Sequence, residues 1–437
     1  MIALPLAHGL GGVQDPPLPM WLVYYGAAAV LVLSFAALGA LWRRPLLEDE
    51  RLRAGTTVPR FVPFLFGVVG IGLFVLVFLA ALVGERSAGT NIAPTFVYIV
   101  FWLGLVALVL LLGNVWRWLN PWRAVADAVA WLTARSGLDW EAPFRYPSRL
   151  GVWPAALLLL AFATLELAWT DPADPRALAL GIAVYSWVMW VGAAAFGREA
   201  WFENGDAFGA YFSFLSRLSL FKIEGRRIWL RRPLAGVARY DERPGTVAFL
   251  AVMLGSVAFD GFSRTTWWVD RIFSVSSWEA VGLNTLGIVV GCLIVAGAFV
   301  LAIEIARLVG GSRERLESPF VGSLIPIALA YAVAHYFSAL VLQGQLAWPL
   351  ASDPFGFGWD LFGSIDYRVN VKPLSDDVTW SVQTGALVVG HVLGLVIAHD
   401  RAVALFGTTR VALRTQYALL ALMVLYTVGG LWLLSRA

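Results

Sequence analysis

Long apolar segments alternate with shorter polar ones along nearly the whole chain. A membrane-spanning helix needs about 20 largely apolar residues, and ten segments approach or reach that length with few charges. The predicted spans are residues 21–41, 61–83, 93–112, 153–169, 177–196, 246–259, 284–305, 326–342, 380–399 and 414–434. This pattern predicts an all-α, polytopic membrane protein in which residues 1–437 form a single membrane domain.

The segments between spans carry their own signals. After the third span, Asn120 and Pro121 are a good cap and first residue for an amphipathic helix at the interface. Residues 205–221 have aromatic side chains at helical spacing and predict a second interfacial helix. Residues 222–233 predict a small basic hairpin around Glu224-Gly225. The tryptophans of the segment 116–123 are interpreted as interfacial anchors.

Composition supports the membrane class and excludes others. The chain is 59% hydrophobic and 14% charged, with a mean hydropathy of +0.74. Soluble proteins average about 45–50% apolar residues and about 25% charged residues. Its single cysteine, Cys292, lies in an apolar segment, which excludes an intrachain disulfide and a cysteine metal cluster. No basic stripe indicates nucleic-acid binding.

Basic residues predict how the chain is threaded. If the amino terminus is outside and the spans alternate, the five inner loops hold 25 of the 32 Lys and Arg residues. This asymmetry is typical of inner loops. We therefore expect a multi-pass protein of a bacterial plasma membrane with both termini outside. The strong excess of Arg over Lys favours a bacterial source.

Two histidines lie near the middle of consecutive predicted spans, His335 in the eighth and His391 in the ninth. Ionisable residues at this depth are costly and often functional. Because the two spans run antiparallel, the imidazoles could meet at one level and form a polar seam with Tyr331 and Thr384. The structural alternative is that each ring hydrogen-bonds a nearby carbonyl and packs. His399, at the predicted inner end of the ninth span, is interpreted as solvated.

Carboxylates could complete a site with these histidines. Asp260 ends the predicted sixth span, and Glu166 lies in the outer part of the fourth. A hydrolytic metal site needs about three protein ligands and an open position for water, so His335 and His391 are candidate ligands for a divalent metal. The structural alternatives are that Asp260 caps a helix and Glu166 pairs with an arginine. The sequence contains no nucleophile elbow, His-Glu-x-x-His, phosphate-binding glycine loop or CxxCH motif.

Five stretches resemble those of bacterial multi-pass proteins labelled fenitrothion hydrolase. These stretches are Gly113–Arg123, Gly197–Ser219, Val257–Ser263, Ala334–Gln345 with Ser352–Gly363, and Gly390–Ala402. The resemblance implies an integral-membrane hydrolase of organophosphate triesters, with a small-molecule substrate. It assigns no catalytic residues to this chain.

Three functions follow as hypotheses. The first is a membrane hydrolase with a metal or acid–base site built on His335, His391 and Asp260. The second is a transporter or a proton or metal conduit, because ten spans can divide into two halves of five. The third is a haem or copper electron-transfer protein in which His335 and His391 are the axial ligands. The sequence leaves the substrate, the cofactor and the oligomeric state open.

Overall fold

The structure is a computed structural model that describes residues 18–48, 50, 52–138, 141–238, 240, 243–312, 316–364, 366–406 and 408–436. Ten of its helical segments are long and apolar enough to cross a membrane. The predicted all-α, polytopic fold class is confirmed. The spans are Met20–Leu41, Phe61–Val83, Ile92–Leu112, Ser148–Leu167, Pro175–Phe196, Thr246–Ser263, Ser277–Gly310, Glu317–Ser352, Asp376–Phe406 and Tyr417–Leu434.

Three of the spans are not uniform α-helices. The third begins as Ile92–Thr95, widens into a π-helix at Phe96–Gly104 and ends as Leu105–Leu112. The fourth combines a 3-10 turn, Ser148–Leu150, with the α-helix Trp153–Leu167. The eighth contains the α-helices Glu317–Val321, Leu324–Gln343 and Ala347–Ser352, with a 3-10 turn at Gly344–Leu346.

Shorter helices and one small sheet complete the described part of the chain. The helices are Trp116–Leu119, Pro121–Arg135, Arg198–Asn204, Ala207–Ser216, Ala235–Ala238, Thr266–Phe273 and Thr409–Thr415. Asn120 accepts a hydrogen bond from the Arg123 backbone N–H, and Pro121 is the first residue of its helix, as predicted.

The sheet lies between spans and joins two distant loops. Its strands are β1 (Arg53–Thr57), β2 (Phe221–Glu224) and β3 (Arg227–Leu230), in the order β1-β3-β2 with antiparallel pairing. The β2–β3 hairpin confirms the predicted one, and its turn uses Gly225 at φ 59°. Strand β1 was not predicted.

The alternation of ten spans defines two faces of the molecule. We call the face where Met20 and Leu434 lie the terminal face, and the opposite face, which carries the sheet, the hairpin face. The sixth span crosses the centre, because it packs against the fourth, seventh, eighth and tenth spans. Its apolar window is 72% buried, more than that of any other span in the described chain.

Two segments predicted to lie at the interface belong to the core instead. Trp116 and Trp122 are only 6% exposed and pack with Phe101, Phe208 and Phe212. The helix Ala207–Ser216 is almost entirely buried. Aromatic residues are common at membrane interfaces, which is why these two segments were predicted to lie there. In the structure their aromatic side chains pack between spans instead.

The region around His399 also differs from the prediction. The ninth span continues to Phe406, so His399 is fully buried rather than solvated, and hydrogen bonds join its ring to Gln416 and to the Trp42 carbonyl. The neighbouring Asp400 accepts hydrogen bonds from the Trp42 indole at 2.8 Å and the Leu46 backbone N–H at 2.6 Å. The loop after the first span is thereby fixed to the ninth span.

Glycines allow the eighth and ninth spans to approach closely. A Cβ on Gly390 would collide with the Cβ of Ala330 and lie 2.8 Å from the Pro326 carbonyl oxygen. Gly385, in the same helix, has nothing within 4 Å of that position. Overpacking in a tight core costs about 1–3 kcal/mol. We therefore expect Gly390→Ala to lower the free energy of unfolding by about that amount, measured by denaturant titration in detergent.

Gly385→Ala is the matched control for this substitution. It adds the same methyl group to the same helix in open space, so its stability should equal or slightly exceed that of the wild type. Equal stabilities of the two variants would contradict the close approach described at Gly390.

Candidate functional site

The site begins with a contact between two spans that are distant in the sequence. The Nε2 atom of His335, in the eighth span, lies 2.6 Å from Oδ2 of Asp260, in the sixth span. Both side chains are largely buried, with 9% of His335 and 4% of Asp260 exposed. A hydrogen bond to a carboxylate in such a low-dielectric setting is strong, and either partner alone would be costly to bury.

This contact determines how the imidazole can act. With its proton on Nε2, His335 donates to Asp260, and Nδ1 is left with a lone pair. Among the described residues, none hydrogen-bonds to Nδ1. The ring can therefore accept a proton at Nδ1 while the carboxylate stabilises the imidazolium that results. This is the geometry of an oriented general base.

Two further side chains surround the Asp260 carboxylate. Arg264, one turn later, approaches Oδ1 at 3.4 Å, and the Tyr336 hydroxyl donates to Oδ2 at 3.4 Å. The Tyr336 ring also contacts the His335 ring edge-on, with centroids 4.7 Å apart. These contacts restrict the rotation of both members of the pair. A fixed orientation is what a general base needs for repeated proton transfer.

Helix geometry explains why Asp260 points inward. The sixth span extends to Ser263 and not to the predicted end at residue 259, so Asp260 and Gly261 lie inside its last turns. The interpretation of Asp260 as the residue that caps this helix is therefore wrong. Because the sixth span is surrounded by other spans, a carboxylate on it has to find partners within the protein.

A second buried carboxylate interacts electrostatically with Asp260. Glu166, in the last turn of the fourth span, is 4% exposed, and its charge acts on Asp260. It also acts on Tyr336 and on Tyr211, which stacks on Trp102 with ring centroids 4.3 Å apart. Asp260, His335, Tyr336, Arg264 and Glu166 are called the acid–base cluster below.

His391 is placed differently. It is fully buried, and its Nδ1 lies 2.8 Å from the Leu387 carbonyl oxygen of its own helix, which makes Nδ1 the donor. Its Nε2 is buried with no hydrogen-bond partner among the described residues. Its ring contacts Tyr331 at 5.9 Å between centroids. Thus the eighth and ninth spans do pack together, as the predicted seam required.

The two imidazoles do not form the predicted pair in the described part of the chain. His335 faces the sixth span, and no hydrogen bond or ring contact joins it to His391. Within that same part, no group of three or more His, Cys, Asp or Glu side chains could hold a metal ion. The described geometry thus joins His335 to Asp260 rather than to His391.

Sequence reasoning missed Tyr336 and Arg264. A signal for Arg264 exists, since it follows Asp260 at the i,i+4 spacing that brings opposite charges together on a helix. A similar local pair joins Glu304 and Arg307 at 2.7 Å, at the i,i+3 spacing. Tyr336 carries no comparable signal, because adjacent residues on a helix point about 100° apart and its partner is on another span.

No family model, curated protein or solved structure matches this chain.

Proposed function

We propose that this polytopic membrane protein is a hydrolase of neutral phosphotriesters that uses His335 as general base and Asp260 as its positioning residue. The observation that carries the proposal is the 2.6 Å contact between His335 Nε2 and Asp260 Oδ2, which directs the free lone pair of Nδ1 away from the carboxylate. The resemblance to fenitrothion hydrolases supplies the reaction class.

The chemistry needs only groups of this cluster and one water molecule. His335 Nδ1 takes a proton from water as the water oxygen forms a bond to phosphorus, and the bond from phosphorus to the leaving alkoxide or phenoxide breaks. The proton then passes from the imidazolium to the leaving oxygen or to solvent. Asp260 stabilises the imidazolium in between, and Arg264 offsets the carboxylate charge.

A site within the membrane suits this substrate class. Phosphotriesters carry no charge, and their apolar substituents favour partition into the bilayer. A largely buried site also excludes bulk water, which strengthens the electrostatic interaction between His335 and Asp260. The lipid bilayer is thus both the solvent of the protein and a route for its substrate.

The charge asymmetry supports an orientation for the site. We place the hairpin face in the cytoplasm of a bacterial cell, with both termini outside, because that arrangement puts the most basic loops inside. The fourth, sixth and eighth spans all end at the terminal face. Glu166 and Asp260 lie in the last turns of their spans, so the cluster would sit in the outer half of the membrane.

The proposal is tested with purified wild-type protein in lipid nanodiscs and diethyl 4-nitrophenyl phosphate as substrate. We expect release of nitrophenolate above that of empty nanodiscs. We expect the rate to survive exhaustive dialysis against EDTA, with elemental analysis confirming that metal has been removed. No turnover would contradict the hydrolase, and turnover that stops on metal removal and returns with zinc would replace the acid–base mechanism by a metal one.

A proton-coupled transporter is the second candidate, and Glu166 is the observation that favours it. The buried carboxylates of Glu166 and Asp260 and the imidazole of His335 come from three different spans and could together load and release a proton. This candidate predicts that proteoliposomes with an imposed pH gradient acidify or alkalise faster than empty ones, reported by a trapped pH-sensitive dye. Flux without phosphotriester turnover would favour the transporter over the hydrolase.

A further inference from the structure

A second polar region lies at the hairpin face, opposite the acid–base cluster. Three of the segments that connect spans at this face, together with the adjoining ends of the eighth and ninth spans, line a cavity of about 680 Å³. Among its lining residues are Glu50, Asn114 and Lys222 from the connecting segments, Ser318 from the start of the eighth span and Arg401 from the last part of the ninth. Cavities that hold small organic molecules have volumes of about 300–1,000 Å³. This one is large enough for such a ligand.

Positive charge dominates the described lining of the cavity. Five cationic side chains line it, against the two carboxylates of Glu48 and Glu50; the cations are Arg117, Arg217, Lys222, Arg231 and Arg401. Glu50 contacts Lys222 at 3.1 Å and Arg231 at 3.5 Å. Burial opposes the ammonium form of Lys222, but its hydrogen bonds to Glu224 and Glu50 outweigh this effect and raise its pKa. The cavity therefore attracts anions.

Buried polar atoms without hydrogen-bond partners indicate which donor and acceptor groups a ligand would need. Arg401 contacts Glu48 through Nη1 at 3.4 Å, but its Nε–H is buried with no hydrogen-bond partner among the described residues. The Oδ1 atom of Asn114 is also buried and has no hydrogen-bond partner among the described residues. Buried polar groups are nearly always hydrogen-bonded. Arg401 Nε–H thus lacks an acceptor, and Asn114 Oδ1 lacks a donor. Both residues line the cavity.

We propose that this cavity binds a phosphate ester that also carries a hydroxyl group. Arg401 and the neighbouring cations would bind the phosphate oxygens, because guanidinium groups match phosphate geometry and remain charged. The hydroxyl would donate to Asn114 Oδ1. This chemistry is found in soluble polyol phosphates and in the headgroup of phosphatidylglycerol. The site does not depend on the hydrolase, since it lies at the other end of the sixth span.

The test uses the full-length protein in detergent and measures binding of glycerol 3-phosphate by isothermal titration calorimetry. A parallel arm uses nanodiscs of phosphatidylcholine with added phosphatidylglycerol, and measures by mass spectrometry the lipid retained after extraction. The variant Arg401→Gln should weaken binding roughly tenfold or more, since a charge-assisted hydrogen bond and a Coulomb attraction are lost. Arg410→Gln is the control, because Arg410 is exposed, near the same face and outside the cavity lining.

Each outcome decides the proposal. Glycerol 3-phosphate binding that Arg401→Gln weakens and Arg410→Gln leaves intact supports a soluble ligand. Selective retention of phosphatidylglycerol with the same dependence on Arg401 supports a lipid ligand. Binding of neither probe, or equal loss in both variants, overturns the proposal. If Arg401→Gln does not fold, Arg117→Gln replaces it with the same expected result, because Arg117 is partly exposed and lines the same cavity.

Discussion

Replacing Asp260 by asparagine is expected to lower phosphotriester turnover by a factor of about 10²–10⁴, the range that an oriented general base contributes. The carboxamide can turn its N–H groups toward His335 Nε2. That ring nitrogen would then accept a hydrogen bond, and the proton would move to Nδ1, the atom that has to receive a proton from water. The substitution keeps the shape of the side chain, so the effect should appear in kcat rather than in the amount of folded protein.

Two controls separate this role from a structural one. Asp260→Glu restores the negative charge and should recover part of the rate, whereas Asp270→Asn removes an exposed carboxylate nearby and should leave the rate unchanged. A pH–rate profile adds a further readout, because loss of the base should remove the dependence of kcat on a single ionisation. Full activity of Asp260→Asn with an unchanged profile would rule out His335 and Asp260 as an acid–base pair.

Replacing Asp400 by alanine is expected to destabilise the protein by about 3–5 kcal/mol, because each donor left without an acceptor inside the protein costs about 1–3 kcal/mol. Asp400 is fully buried and accepts hydrogen bonds from the Trp42 indole and from the Leu46 and Leu47 backbone N–H groups. All these donors would lose their acceptor. The measurement is the free energy of unfolding in detergent, with tryptophan fluorescence as the signal.

Asp377→Ala is the matched control, because Asp377 lies in the first turn of the same helix and is exposed. Its effect should stay within about 0.5 kcal/mol. If the two alanine variants unfold at the same denaturant concentration, Asp400 does not hold the first loop against the ninth span.

The sequence was sufficient for the membrane layout because hydropathy and helix length are local properties. The second span, Phe61–Val83, matches its prediction at both ends. Asn120 and Pro121 begin a helix as expected, and the β2–β3 hairpin forms around Gly225. Each of these features is encoded within a few consecutive residues.

The partners of the site residues could not be predicted in the same way. Which spans are neighbours depends on packing across the whole bundle, and periodicity within one span does not report it. His335 therefore contacts Asp260, 75 positions earlier, instead of His391 on the next span. His399 was misjudged for a related reason, since its hydrogen-bond partners, the Trp42 carbonyl and Gln416, follow the first span and precede the tenth.

The three-stranded sheet has a consequence for how this protein is made. Strand β1 lies in the first loop, but the strand it pairs with, β3, is not synthesised until five spans have left the ribosome. At typical synthesis rates of about 5–20 residues per second, β1 waits roughly 10–40 s for its partner. During that interval its backbone N–H and C=O groups are an open edge that another chain could pair with. Assembly of the sheet therefore cannot be completed until half of the ten spans have been synthesised.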